Sequence, residues 1–303
     1  MKKLINILTL LVVFISGCSA GNPEEVNNGI SAAKILSQIN KGKTILIQNM
    51  IISDELDFSK VDKNFVFSSG QKIATIEVPV TFINCVFLKA VKAVGSDGKI
   101  TITCQFEQNL TFENCDFRAD ADFSNIVVKG QTNFTGTKFR ENAQFANVAF
   151  YGKNHYFTSV SAEKAFFMQD ALINGNLDFF KAKAGGKFSV QGIHVAGTAV
   201  FNSIECAAKS DFSLAVFDMG LMMNYAVFNG EFRMNDVRSA GRIDMSSIAF
   251  NAAGWITNSE FRSKVLMNKI SVKQSLDLSG TIFAQGKPEL EETAQESVEK
   301  IIF

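Results

Sequence analysis

Hydrophobic and polar residues repeat in units of eleven from Leu110 onward. Each unit has four positions that are mostly apolar or small, and one of these is large and apolar throughout. With about half the chain apolar, sixteen such residues in a row would arise by chance on the order of once in 10⁵ trials. This first column consists of Phe112, Phe123, Phe134, Phe145, Phe157, Met168, Phe179, Val190, Phe201, Phe212, Met223, Met234, Met245, Ile256, Met267 and Leu278.

Two further columns of the unit are equally regular. The second lies five residues after the first, and the third lies two residues before the second and is small or β-branched. The second consists of Phe117, Val128, Phe139, Phe150, Ala162, Ile173, Ala184, Val195, Cys206, Phe217, Phe228, Ser239, Phe250, Phe261, Val272 and Phe283. The third consists of Cys115, Ile126, Thr137, Val148, Val160, Ala171, Ala182, Ile193, Ile204, Ala215, Ala226, Val237, Ile248, Ser259, Ile270 and Thr281.

The columns divide each unit into a segment of five residues and a segment of six. Each segment has an inward pair two residues apart, which is the period of a β-strand and not of an α-helix. No segment could bury its apolar face alone, so each must stack on the one before it, about 4.8 Å away. The pattern predicts an all-β fold, a parallel β-helix or solenoid, whose inward side chains form ladders.

The register also survives before residue 110, although in pieces. Ile45, Ile47, Met50 and Ile52 match Leu56, Phe58 and Val61 at a spacing of eleven, and Val80 to Phe87 form another unit. We expect an inserted loop or hairpin over residues 88–99 and a bulged turn near residues 151–154, where one extra residue shifts the frame. The predicted solenoid covers residues 44–284, with nearly ten coils and a length of about 50 Å.

Both ends of the solenoid have a predicted helical cap. Ser31 is a candidate N-cap of a helix within residues 30–43, with Gly42 as its C-terminal stop. Residues 285–303 predict a second helix that starts at Pro288 and has acidic residues in its first turn. This second helix either caps the solenoid or binds a partner or a second copy of the chain.

The unit resembles a known repeat family. The segments "CDFRA" (115–119) and "ADFSN" (121–125) are similar to the Ala-(Asp/Asn)-(Leu/Phe)-X-X unit of pentapeptide-repeat proteins. This resemblance, over roughly residues 44–283, implies a right-handed quadrilateral β-helix. The chain departs from the family because alternate segments have six residues and the Asp/Asn position is poorly kept. We therefore expect coils of about 22 residues instead of 20, so that residues 22 apart stack and residues 11 apart lie on opposite walls.

Composition and charge restrict the partners. Only three prolines occur in 303 residues, which suits a continuously paired backbone because proline lacks the N–H donor. The 30 basic and 30 acidic side chains cancel, so the chain has no electrostatic footprint for nucleic acid or for mimicry of it. We expect no nucleic-acid partner.

The N-terminus carries a targeting pattern. Two lysines precede an apolar run, residues 4–14, that is too short for a comfortable membrane span. The next four residues, Ile-Ser-Gly-Cys at 15–18, resemble a bacterial lipobox. The resemblance implies a signal peptide over residues 1–17, a lipidated Cys18 and a polar tether through residue 29. An ordinary secretory signal with an accidental cysteine is the alternative.

Either kind of signal predicts an extracytoplasmic protein, and the lipid would anchor it to a membrane. Ser19 follows the cysteine, so no aspartate signals retention in an inner membrane. In a Gram-negative source we expect the outer membrane, with the periplasmic or the surface face left open. In such a compartment, Cys85, Cys104, Cys115 and Cys206 could form disulfides. All four occupy inward columns, so free buried thiols are the simpler interpretation.

The sequence offers little catalytic or metal chemistry. One histidine, His155, falls at the edge of an inward position and the other, His194, points outward, so the pair predicts no metal or catalytic site. No phosphate-binding or dinucleotide motif is present, and we expect no cofactor. The outward carboxylates of Asp178 and Asp244 are too far apart on one wall to cooperate. On the opposite wall, Arg233 is placed to form a surface salt bridge with Asp211.

Several outward positions are apolar. Val200, Met222 and Leu266 should share one wall, with Tyr225 and Val227 next to Met222, whereas Trp255 points outward on the opposite wall. We take Val200, Met222, Tyr225 and Val227 as a candidate patch for an unidentified protein or glycan partner. Oligomers could also form through a solenoid end or the predicted C-terminal helix.

These observations lead to three hypotheses of function. The first is a lipid-anchored, extracytoplasmic scaffold or binding protein of the bacterial envelope, without catalytic activity. The second is an enzyme of the β-helix type that acts on polysaccharide, although the uniform coils provide no loops to wall a cleft. The third is a DNA mimic that inhibits gyrase, which the resemblance suggests from some family members. The zero net charge and the export signal argue against the third hypothesis.

Overall fold

The protein is nearly all parallel β-structure and forms a solenoid of about nine turns of about 22 residues, as predicted. The computed structural model describes residues 29–62, 65–68 and 71–303. Residues 1–28, with the predicted signal peptide (1–17), Cys18 and most of the tether (18–29), lie outside the described residues. Among the described residues, no helix is long and apolar enough to cross a membrane.

Four sheets, which we call walls one to four in chain order, enclose the core, and all are parallel except for two antiparallel hairpins in wall four. Wall one consists of Ile45–Gln48, Val80–Ile83, Leu110–Glu113, Thr132–Asn133, Asn154–Tyr156, Asn176–Asp178, Thr198–Val200, Gly220–Met222, Arg242–Asp244 and Val265–Leu266. Wall two consists of Ile51–Ile52, Val86–Phe87, Asp116–Phe117, Lys138–Phe139, Ser161–Ala162, Lys183–Ala184, Glu205–Cys206, Val227–Phe228, Ala249–Phe250 and Ser271–Val272.

Walls three and four lie opposite walls one and two. Wall three consists of Leu56–Asp57, Val91–Lys92, Ala121–Asp122, Ala143–Gln144, Phe166–Phe167, Phe188–Ser189, Ser210–Asp211, Phe232–Arg233, Gly254–Trp255, Leu276–Asp277 and Ile301–Ile302. Wall four consists of Phe65–Ser68, Gln71–Ile76, Val94–Asp97, Ile100–Phe106, Val127–Val128, Ala149–Phe150, Leu172–Ile173, His194–Val195, Val216–Phe217, Arg238–Ser239, Glu260–Phe261 and Ile282–Phe283. A 3₁₀ turn covers Phe58–Lys60.

The register follows the predicted coil length. Leu110 pairs with Thr132, one regular coil later, whereas Thr132 pairs with His155, which lies one residue beyond the regular coil. The frame shift near residues 151–154 is therefore confirmed. Two antiparallel hairpins lengthen the first coils: Phe65–Ser68 pairs with Gln71–Ile76, and Val94–Asp97 pairs with Ile100–Phe106. The insertion predicted at 88–99 is thus a hairpin, although Val91–Lys92 keeps its regular place in wall three. The pattern did not predict the hairpin at residues 65–76.

A left-handed residue at alternate corners explains why every second segment has six residues. Once in each eleven-residue unit the backbone adopts a positive φ, always directly before the small inward column. This extra residue turns the chain between walls one and two or between walls three and four. The positions are Asn114, Asn125, Gly136, Asn147, Ser159, Asp170, Lys181, Gly192, Ser203, Leu214, Tyr225, Asp236, Ser247, Asn258, Lys269 and Gly280. Most are Asn, Asp, Gly or Ser, and Asn, Asp and Gly are residue types that tolerate this conformation.

Stacked phenylalanine rings fill the core. On wall one, Phe112 lies 5.1 Å from Phe82 and 5.3 Å from Phe134 between ring centroids, with nearly parallel planes. Across the core, Phe123 meets Phe112 edge-on at 5.4 Å and stacks on Phe145 at 5.2 Å. Rings one coil apart therefore stack, and rings half a coil apart face each other from opposite walls, as the pattern predicts.

The N-terminal cap is confirmed. Helix α1 (Ala32–Asn40) begins after Ser31, whose side-chain oxygen accepts a hydrogen bond of 3.3 Å from the Lys34 N–H. Ile35 and Ile39 are buried against the first coil, and Gly42 has a φ of 69° directly after the C-cap. The helix thereby covers the first edge of the solenoid.

The prediction of a helix over residues 285–303 was wrong. Helix α2 (Gln295–Val298) is a single turn, and Ile301–Ile302 pairs with Leu276–Asp277 as the last strand of wall three. Residues 289–300 instead continue along the solenoid. Glu289 forms an isolated β-bridge with Leu266, and the Glu291 carbonyl accepts a hydrogen bond of 2.9 Å from the Lys269 N–H. The backbone N–H groups at the edge of the last coil, such as those of the buried Leu276 and Leu278, need partners, and this need overrides helix propensity. The predicted helix that could bind a partner or a second copy of the chain is therefore reduced to this single turn.

Candidate functional site

The candidate patch lies where wall one meets wall two. Val200 and Met222 are direct partners on wall one, and Val227 lies on wall two of the same coil as Met222. Tyr225 occupies the corner between them and is 66% exposed. The structure brings together all four residues named from the sequence, and we call them the Tyr225 patch.

Val200 and Met222 belong to a ladder of outward side chains on wall one. At other positions of this ladder, and of the matching ladder on wall three, carboxylate and amide oxygens accept hydrogen bonds from the backbone of the turns. Asp178 Oδ1 accepts a hydrogen bond of 2.7 Å from the N–H two residues on, and Asp244 does the same at 3.1 Å. Val200 and Met222 interrupt this series and cannot accept such a bond. Asn202 Oδ1 in the preceding coil compensates, since it accepts from the Asn224 N–H at 2.9 Å. The turn after Met222 therefore has a side-chain acceptor although position 222 is apolar.

Tyr225 is also unusual in its backbone. Its φ of 60° places a bulky aromatic residue in a conformation that costs most L-residues about 1–2 kcal/mol. Leu214 has a φ of 62°, is 53% exposed and lies at the diagonally opposite corner, between walls three and four. Strain of this kind persists when the surrounding structure enforces it, and it is concentrated at functional sites. The ring stands outside the core, where it contributes little to packing.

Met219 is an exposed apolar residue on the same coil as the Tyr225 patch, at the other edge of wall one, and was missed from the sequence. It lies in the turn that leads into wall one of the same coil and is 67% exposed. The corresponding corner of five other coils has glycine, where a Cβ would meet the neighbouring backbone; at Gly241 the nearest atom would be 2.1 Å away. The sequence feature that could have identified Met219 is its position, because it is a methionine where five other coils have glycine, namely Gly130, Gly152, Gly175, Gly197 and Gly241.

The candidate carboxylates have structural partners. Asp178 and Asp244 lie on one ladder with Val200 and Met222 between them, three coils or about 14 Å apart. On wall three, Asp211 Oδ1 accepts from the Ser213 N–H at 3.1 Å. The separation predicted from the sequence is therefore confirmed, and these carboxylates do not converge.

Arg233 stacks beside Asp211, but its contacts are with other residues. Its Nη2 donates to Glu231 Oε2 at 3.2 Å, and its guanidinium carbon lies 5.4 Å from the Trp255 ring centroid. The expected salt bridge to Asp211 is therefore replaced by a pair with Glu231. Trp255 lies on wall three as predicted, where it covers the arginine.

The two histidines lie on different sides of the solenoid surface, one inside the core and one facing solvent. His155 is fully buried, and its Nε2–H donates to the Gly152 carbonyl at 2.9 Å while its Nδ1 accepts from Thr132 Oγ1 at 2.7 Å. Burial lowers the pKa of His155 to about 4, so the ring is neutral at physiological pH. His194 points outward, and its Nε2 lies 2.9 Å from Asp218. Among the described residues, no group of three or more His, Cys, Asp or Glu could hold a metal ion.

The four described cysteines are free and buried. Burial raises the pKa of Cys206 to about 12 and raises the pKa of Cys104 further. Both thiols act as small apolar core residues. Cys85 and Cys115 differ because they lie next to each other.

No protein-family model matches the chain, and no curated protein or solved structure matches it either.

Proposed function

We propose that this protein is a lipid-anchored, extracytoplasmic β-solenoid that serves as a non-catalytic binding module of a bacterial envelope. The Tyr225 patch carries the proposal. It groups a tyrosine, a methionine and two valines on one coil edge, at positions where most other coils have polar or small residues. Such residues are tolerated at a structural cost, and a binding role accounts for that cost.

The proposed partner is a protein. Tyrosine and methionine are enriched at protein interfaces, and tyrosine is frequent among the residues whose truncation most weakens binding. The patch residues lie on paired strands and on the corner between them, so the patch needs little ordering on association. A glycan is the alternative, since an exposed tyrosine ring can also stack on a sugar.

The proposed anchor rests on the lipobox at residues 15–18, which points to lipidation of Cys18. The family assignment is likewise a proposal: the eleven-residue double unit is similar to two pentapeptide repeats with one left-handed residue added. A four-walled coil supports this relationship, and the 22-residue period separates the chain from the usual repeat.

The test compares two left-handed corners. Tyr225→Asn should remove the patch centre and relieve backbone strain, so we expect weaker partner capture and a free energy of unfolding about 1 kcal/mol higher. Leu214→Asn relieves the same strain at the opposite corner and should stabilise the chain without loss of capture. Capture is measured by cross-linking in intact cells followed by quantitative mass spectrometry, and stability by urea unfolding.

Equal capture by wild type and Tyr225→Asn would refute the binding role of the patch. Loss of capture in both variants would assign the effect to the corners in general and not to Tyr225. Retention of a purified glycan by the wild type, abolished by Tyr225→Asn, would replace the protein partner with a sugar. The anchor is tested separately, because Cys18→Ser should release the chain from the membrane fraction.

A further inference from the structure

Cys85 and Cys115 occupy the same inward corner of two successive coils. The residues that follow them, Val86 and Asp116, are direct partners on wall two. The Asp116 N–H also donates to the Cys85 carbonyl at 2.9 Å. Neighbouring strands lie about 4.8 Å apart, so the two Cα atoms fall within the range that a disulfide spans, roughly 4.4–6.8 Å.

The other pairings are excluded by the walls. Cys104 lies in wall four, across the core from wall two, and Cys206 lies four coils beyond Cys115 on wall two. Four coils correspond to about 19 Å, well outside disulfide reach. Only one pair among the four described cysteines can therefore form a bond without rearranging the solenoid.

Each thiol lies against backbone carbonyl oxygens of its own coil and of the preceding coil. Cys115 Sγ leans toward the preceding coil, 3.6 Å from the Phe82 carbonyl oxygen, and Cys85 Sγ lies 3.4 Å from the Ile83 carbonyl oxygen. A hydrogen bond between the two thiols lowers the pKa of Cys85 and, with burial, raises the pKa of Cys115.

We propose that Cys85 and Cys115 form a disulfide that links the second coil to the third. The Cys85 thiolate attacks an external disulfide of low molecular weight or of a thiol oxidase, which releases one thiol and leaves a mixed disulfide. Cys115, deprotonated, then attacks the Cys85 sulfur and releases the second thiol. The protein loses two electrons and two protons, and the external disulfide gains both as two thiols.

The position suits a cross-link, because the second coil is enlarged. The coil that leads from Val80 to its partner Leu110 includes the Val94–Asp97 hairpin, so it is longer than the later coils of about 22 residues. The bond would tie this enlarged coil to the first regular coil that follows it. Since both sulfurs are buried in the folded state, we expect the bond to form during folding, before the first coils close.

The experiment uses the purified full chain and does not depend on where the protein resides. The chain is refolded with oxidised and reduced glutathione, alkylated without reduction and digested for mass spectrometry. We expect a cross-linked peptide pair containing Cys85 and Cys115, two mass units lighter than the separate thiol peptides. A reductant should remove it and lower the Tm by roughly 5 °C.

Matched variants complete the test. Cys85→Ala should abolish the difference in Tm between the oxidised and the reduced protein. Cys206→Ala also removes one buried thiol, and it should preserve that difference. Full alkylation of Cys85 and Cys115 in wild type after oxidative refolding would overturn the proposal. A cross-link that includes Cys104 or Cys206 would overturn it as well, and neither result depends on whether a variant folds.

Discussion

At the residue scale, the buried His155 makes stability depend on pH. Its ring is satisfied only as the neutral tautomer, because Gly152 accepts from Nε2–H and the Thr132 hydroxyl donates to Nδ1. Protonation would place a charge in the core beside Phe150, whose ring centroid lies 5.1 Å away. Burial lowers the pKa of His155 from 6.5 to about 4 in the folded chain.

The sign of the pH effect follows from linkage. Below pH 6.5 His155 becomes protonated in the unfolded chain but stays neutral in the folded chain. The free energy of unfolding therefore falls as the pH drops toward about 4. The loss should reach about 3 kcal/mol, at 1.36 kcal/mol per pH unit. Urea midpoints measured between pH 4 and 7 check this. His155→Phe should flatten that dependence, whereas His194→Gln should leave it intact; an unchanged slope in His155→Phe would contradict the assignment.

At the scale of elements, the C-terminal strand closes wall three. The Leu276 N–H donates to the Lys300 carbonyl at 3.0 Å and the Leu278 N–H to the Ile302 carbonyl at 2.7 Å. Ile301 packs against the core, whereas Ile302 faces solvent. This strand therefore covers an edge that would otherwise present unpaired groups.

Ile301→Asp should detach the strand, because a carboxylate cannot remain against the apolar core. We expect a loss of about 2 kcal/mol and faster hydrogen exchange at the Leu276 and Leu278 amides. Ile302→Asp changes the adjacent outward residue and should leave both amides protected. Equal protection in the two variants would show that the strand is held by its backbone alone.

At the scale of the molecule, each coil contacts mainly its neighbours, so the core is a one-dimensional stack. Phe134 is central to it, with Phe112 at 5.3 Å and Phe157 at 5.1 Å between ring centroids. Phe134→Ala should cost about 3–5 kcal/mol. The cavity at Phe134 should uncouple the coils before this residue from the coils after it. The two parts should then unfold in two transitions instead of one.

Hydrogen exchange at intermediate urea concentration would follow the two parts separately. Phe134→Met is the control, since Met223, Met245 and Met267 occupy the same column of wall one. It should cost less than half as much and keep a single transition. A single transition in Phe134→Ala as well would mean that coupling extends beyond neighbouring coils.

Much of the fold could be predicted because every coil repeats the same physical requirement. Phe112, Phe123 and Phe134 are apolar because their positions point into a narrow core, and the eleven-residue period alone reveals this. The left-handed corners were less visible, since Asn, Ser, Asp, Lys and even Tyr225 fill them. Their identity varies because the side chain points to solvent and only the backbone conformation is required.

The sequence by itself determined the solenoid, its coil length and the neighbourhood of the Tyr225 patch, because local periodicity decides which side chains are inside. Only the tertiary structure decided how the C-terminal segment folds, since unpaired N–H groups of the last coil recruit residues 289–302. The tertiary structure alone also places Cys85 beside Cys115. The hairpin between them makes their spacing in the sequence longer than a regular coil, so the eleven-residue period does not predict that they stack.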